Sequence, residues 1–145
     1  MKPKRYASTL LLSLSLFAAG CGEEKIPGVD IDLARKSSTF IYATVSQMME
    51  NPDSYVGKVI RIAGYYSYYS DNQGNALYHA CMVPDAMACC SQGLEFVLAE
   101  DLTWPDEYPD EGTDIYITGR LETYKEGKNT LLHLVDCEME LQEES

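Results

Sequence analysis

Four thiols carry most of the chemistry available to this 145-residue chain: Cys81, Cys89, Cys90 and Cys137. His79 and Asp85 lie close to them in sequence and could share a metal or a proton with them. Three chemistries fit. The first is structural, because an even set of thiols in an exported domain predicts two disulfides, and four cysteines permit three pairings. A Cys89–Cys90 bridge needs a strained ring between adjacent residues. The expected pairings therefore join Cys81 to Cys89 or Cys90 and send Cys137 to the one left over. Each bridge would contribute about 2–4 kcal/mol. The second chemistry is a soft-metal site of the zinc type. Closed zinc sites take four ligands, here Cys81, Cys89, Cys90 and one of Cys137, His79 or Asp85. The Cys-x7-Cys-Cys spacing differs from the Cys-x2-Cys of tight zinc knuckles. The third is thiol redox catalysis, which wants an accessible low-pKa thiolate and usually Cys-x-x-Cys. The sequence has no such motif, and an acidic chain raises thiol pKa values. Disulfides lead, metal follows, chemically inert thiols come third and redox comes last. The expectation is a structural cluster with no cofactor, zinc being the one candidate, in a protein that is not an enzyme.

Two tyrosine pairs make a weaker claim. Tyr65, Tyr66, Tyr68 and Tyr69 could line a ligand groove on a sheet, although alternating tyrosines on a strand also serve cross-strand packing. The acidic residues between Glu100 and Asp114 form no Asp-x-Asp-x-Asp-Gly calcium loop and read as a solvated face. Trp104 is either a partner anchor or a cover for one end of the domain. No motif places a serine–histidine pair, a catalytic carboxylate pair or a phosphate loop.

Charge narrows the partners. Lys+Arg number 11 against 23 Asp+Glu, a net −12, so nucleic acid and anionic lipid head groups are poor partners. A protein or small ligand of another charge type stays open. The 46% hydrophobic content is that of a globular chain, and eleven Tyr against three Phe favour strands.

The thiols need a compartment. Lys2, Lys4 and Arg5 precede an apolar stretch from Leu10 to Phe17, too short to span a bilayer and shaped like a secretory h-region. Ala18-Ala19-Gly20-Cys21 resembles a bacterial lipobox, which implies that Cys21 is lipidated and becomes the mature N-terminus. Ordinary signal cleavage without lipid is the competing reading. Residues 1–20 are thus expected to be a signal peptide, and 21–38 a lipidated Cys and tether. The partner this implies is the membrane, reached through a lipid anchor on its extracytoplasmic side. Removal of the leader takes away Lys2, Lys4 and Arg5 and no acid, so the exported part falls from −12 to −15.

The elements that must position the thiols follow in 39–145. Ile41, Val45 and Met48 at helical spacing predict a helix over Thr39–Glu50, capped by Ser38 and stopped by Asn51-Pro52. From Lys58 the period becomes two. Strands are predicted from Lys58 to about Tyr68, then over Ala76–Val83, Leu94–Ala99, Thr113–Tyr124 and Thr130–Leu141. Gly64 suggests a bulge or sharp coil in the first. Period two puts His79 and Cys81 on one face, and His133, Val135 and Cys137 on one face of the last strand. The fold class expected is mainly β: a five-stranded closed antiparallel barrel preceded by one N-terminal helix.

The run Asn51-Pro52-Asp53-Ser54-Tyr55-Val56-Gly57-Lys58-Val59-Ile60 resembles the entry to OB-fold domains of exported bacterial lipoproteins. There a helix leads through Gly-Lys into the first strand. Ile115-Tyr116-Ile117-Thr118-Gly119-Arg120-Leu121 resembles the fourth strand of that fold. The segment Tyr78 to Phe96, with its thiols, resembles a group of uncharacterised lipoproteins of anaerobic Gram-positive bacteria. The likeness implies an OB-like barrel over about residues 40–141 and no particular activity.

Overall fold

The computed structural model describes residues 26–143. The expected signal peptide and Cys21 lie outside the described residues. Helix α1 runs over Ser38–Glu50, with Ile41, Val45 and Met48 buried on one face. Its cap is Ser37, one residue before the expected Ser38; the Ser37 hydroxyl accepts the Phe40 N–H at 3.4 Å. Asn51 closes the helix, and a 3-10 turn over Pro52–Ser54 leads on.

The described residues form six strands: β1 (Ile31–Asp32), β2 (Val59–Ser70), β3 (Ala76–Pro84), β4 (Ser91–Leu98), β5 (Asp114–Glu126) and β6 (Asn129–Leu141). The predicted five are there, displaced at their ends by a few residues. The largest displacement is in β4, which starts at Ser91 because Pro84↔Ser91 and Val83↔Gln92 continue the β3–β4 hairpin down to its turn. Around the sheet the pairing runs β2–β3–β4–β6–β5 and returns to β2, a closed ring of hydrogen bonds. The ring is not wholly antiparallel, since β4 and β6 pair in parallel.

Strand β2 makes the closure possible. From Val59 to Tyr65 it pairs with β5, and from Tyr65 to Ser70 with β3. Gly64 sits where it changes partner. A Cβ there would lie 2.7 Å from Cys81 Sγ and would also overlap the Met82 carbonyl. The sharp coil expected at Gly64 is thus a close backbone approach that only glycine permits.

Two findings depart from the expectations. First, the segment read as tether folds before residue 39. Ile31 and Asp32 pair in parallel with Ile60 and Arg61, the Asp30 carboxylate accepts the Val59 N–H at 2.8 Å, and Leu33 is buried in the core. Full burial of a leucine side chain contributes about 1.5–3 kcal/mol, enough to hold so short a strand in place. Second, His133, Val135 and Cys137 do not share a face. The β5–β6 register shifts between Thr118 and Arg120, and Asp136 takes φ 53. This bulge inserts one residue, so Leu134 and Cys137 both point into the core although three positions apart.

Inside the ring lie Ile60, Ile62, Tyr66, Cys81, Val83, Leu94, Phe96, Ile115, Ile117, Leu121, Leu134 and Cys137, joined by Leu33 and by α1. No described polar or charged side chain is buried. Among the described residues no helix is long and apolar enough to cross a membrane.

Candidate functional site

The four thiols separate into two sets. Cys81 and Cys137 are core residues, and burial pushes each thiol up to about 12. Cys89 and Cys90 are exposed at the β3–β4 turn. All four are free thiols. The expected bridge from Cys81 to this turn meets a geometric obstacle. Ser91, next to Cys90, stands opposite Pro84, three residues along β3 from Cys81. Three strand residues span roughly 10 Å, whereas bridged Cα atoms lie about 4.4–6.8 Å apart. The four-thiol cluster of the sequence reading is therefore divided by the length of the hairpin.

The turn itself is organised by Asp85. Its Oδ1 accepts the N–H groups of Met87 at 3.1 Å and Cys89 at 3.0 Å, while its own N–H donates to the Cys90 carbonyl at 2.8 Å. Ala88 lies at φ 53, which turns the chain so that both following side chains face Asp85. The Cys89 thiol donates to Asp85 Oδ2 at 3.2 Å, and the Cys89 and Cys90 sulfurs are 3.9 Å apart. The shared hydrogen bond holds the Asp85 carboxyl below its usual range and the Cys89 thiol above its own. One Asp85 carboxylate oxygen and the two sulfurs lie within 4.8 Å of one another, a group able to hold a metal ion. His79 is not part of it.

His79 belongs instead to an aromatic stack at the other end of β3. Its ring lies on Tyr108, centroids 4.2 Å apart, and its Nδ1 is 2.8 Å from the Tyr66 hydroxyl. Burial raises the Tyr66 phenol to about 12, so it stays protonated and shares a hydrogen bond with Nδ1. Burial also lowers the pKa of His79, which favours the neutral ring. Trp104 packs edge-on against Tyr68, ring centroids 5.2 Å apart, beside this stack.

The pleat divides the tyrosine pairs. Tyr66 and Tyr68 join the internal stack, while Tyr65 bonds Ser91 from the opposite face, and Tyr69 is exposed. Of the four, Tyr69 alone lines a groove of about 620 Å³. Its other walls are residues the sequence reading missed: Tyr78, Met82, Glu95, Tyr124 and Glu126, with Met49 from the helix. The Tyr78 hydroxyl donates to Glu126, and the Tyr124 hydroxyl to Glu95 at 2.5 Å. Period two already put Tyr78 on the face opposite Cys81. No sequence signal brings the β5–β6 hairpin, and with it Tyr124, beside β3 and β4.

No family model matches the chain, and no curated protein matches it.

Proposed function

We propose that this is a lipid-anchored, extracytoplasmic binding module, non-catalytic, built on an OB-like closed barrel. The ring order, with one coiled strand shared between β3 and β5, supports the barrel. The charged n-region, short apolar stretch and lipobox-like Ala18-Ala19-Gly20-Cys21 support export and anchoring.

The observation that carries the binding reading is the groove. Aromatic walls with a few fixed polar groups are the usual build of a ligand site. Tyr69, Tyr78 and Tyr124 supply faces for stacking, and Glu95 and Glu126 supply acceptors held in place by tyrosine hydroxyls. Carboxylates in an acidic protein repel anions, so the ligand class is uncharged and hydroxyl-rich, or cationic; nucleic acid is excluded from it.

The test is nuclear magnetic resonance on protein labelled at the methionine methyls. Titration with a neutral oligosaccharide and with an oligolysine peptide should move the Met49 and Met82 signals for one of the two. Tyr78→Ala should abolish the movement. No movement with either probe would sink the groove. The anchor is tested separately with a fatty-acid analogue, whose incorporation should vanish in Cys21→Ala.

A further inference from the structure

The β3–β4 turn carries a second site, independent of the groove. We propose that Asp85, Cys89 and Cys90 form an open, three-ligand site for a zinc-class divalent cation. The geometry is close to what the ion requires. With zinc–sulfur bonds of about 2.3 Å, the two sulfurs of a tetrahedral site lie about 3.8 Å apart. The Cys89 and Cys90 sulfurs lie 3.9 Å apart, and Cys89 Sγ to Asp85 Oδ2 is 3.2 Å. The third edge, from Cys90 Sγ to the Asp85 carboxylate, is within 4.8 Å.

The local structure explains why adjacent cysteines converge at all. In a strand, neighbours point to opposite faces. Here the positive φ of Ala88 and the two N–H bonds to Asp85 Oδ1 wind the turn so that both sulfurs gather beside the Asp85 carboxylate, whose Oδ2 already accepts from the Cys89 thiol. One carboxylate oxygen thus orients the ligand and the other ligates, the division of labour seen around metal sites. Thiolates select a soft or borderline cation over calcium or magnesium.

As the ion binds, each thiol releases one proton to solvent and forms one metal–sulfur bond. Asp85 donates an oxygen lone pair, and no electron is transferred. Two thiolates and a carboxylate around a divalent ion leave one net negative charge. No fourth His, Cys, Asp or Glu among the described residues joins the group. The fourth position opens to solvent, for water or for a donor atom from another molecule. An open site of this kind suits exchange of the metal, whereas a closed four-ligand site serves structure.

The experiment titrates the reduced full chain in detergent with cadmium, read by the ultraviolet thiolate-to-cadmium band. The expected result is one ion per chain. Cys89→Ser, Cys90→Ser and Asp85→Asn should each weaken binding by about tenfold or more, with circular dichroism unchanged. Bound cadmium should also shield Cys89 and Cys90 from iodoacetamide. A band that survives the double variant Cys89→Ser/Cys90→Ser overturns the site. So does the lack of any band in wild type, or unshielded thiols at saturating metal. Tyr78→Ala should leave the band intact, which keeps this test separate from that of the groove.

Discussion

The sulfur of Cys137 fills the space that a side chain on Gly119 would need, beside the bulge at Asp136. A Cβ at Gly119 would overlap that sulfur and lie 3.0 Å from the Val135 carbonyl. Gly64 and Cys81 stand in the same relation, Gly64 lying on β2, which pairs with β5. Each buried thiol fits beneath a residue with no side chain, and this packing, without a bridge, accounts for both.

Gly119→Ala should therefore destabilise the fold. Overpacking a core costs about 1–3 kcal/mol, more than the 0.4–1 kcal/mol gained, roughly, by restricting the unfolded chain. Adding Cys137→Ala should return part of the loss, so that the two changes are not additive. Denaturant midpoints of the two single variants and the double variant measure this. Strict additivity would show that the sulfur is not the obstacle.

Thiol reactivity should split two against two. Cys89 and Cys90 are exposed, whereas Cys81 and Cys137 are buried and titrate near 12. In native protein at pH 8, alkylation should stop at two of the four core and turn thiols and reach all four only on unfolding. Asp85→Asn should speed the reaction at Cys89, because the carboxylate's hydrogen bond and charge hold that thiol's pKa up. Mapping the alkylated peptides by mass gives the answer, and early labelling of Cys81 would contradict it.

His79 should make stability fall in weak acid. Burial lowers its pKa from 6.5, so between that lowered value and 6.5 the unfolded chain binds more protons than the native one. Its contribution is whole above 6.5 and is lost as pH falls toward the native value. His79→Gln should flatten the stability profile between pH 7 and pH 5 relative to wild type. Nitrogen chemical shifts should also report a neutral His79 ring at pH 7.

Leu33→Ala should cost about 2–5 kcal/mol, the range for a buried leucine. A flexible tether at this position would lose nothing. Thermal or denaturant unfolding of the single variant decides between the two.

How legible all this was depends on the range over which each signal acts. The helix and the five longer strands could be read because period and stop signals are local: Ile41, Val45 and Met48 on one face, Asn51-Pro52 at the end. Strand β1 could not, since two residues carry no period and Ile31 is held by Ile60, far along the chain. The parity of β6 failed at Asp136 because the bulge answers the crowding of Cys137 against Gly119 across the pair. The turn thiols were visible as residue types. Their separation from Cys81 and Cys137 depends on hairpin register, and the groove depends on ring closure, neither of which is written in any one segment.

Strand β1 has one more consequence. Strand β3 leaves β2 at Tyr65, so the stretch near Ile60 and Arg61 pairs with β5 and would otherwise have a bare side. Unpaired backbone of that kind is a template for another chain. Ile31 and Asp32 cover it, and the Asp30 carboxylate takes the Val59 N–H. The same few residues that lead into the domain thus close this edge to pairing with a second copy of the chain.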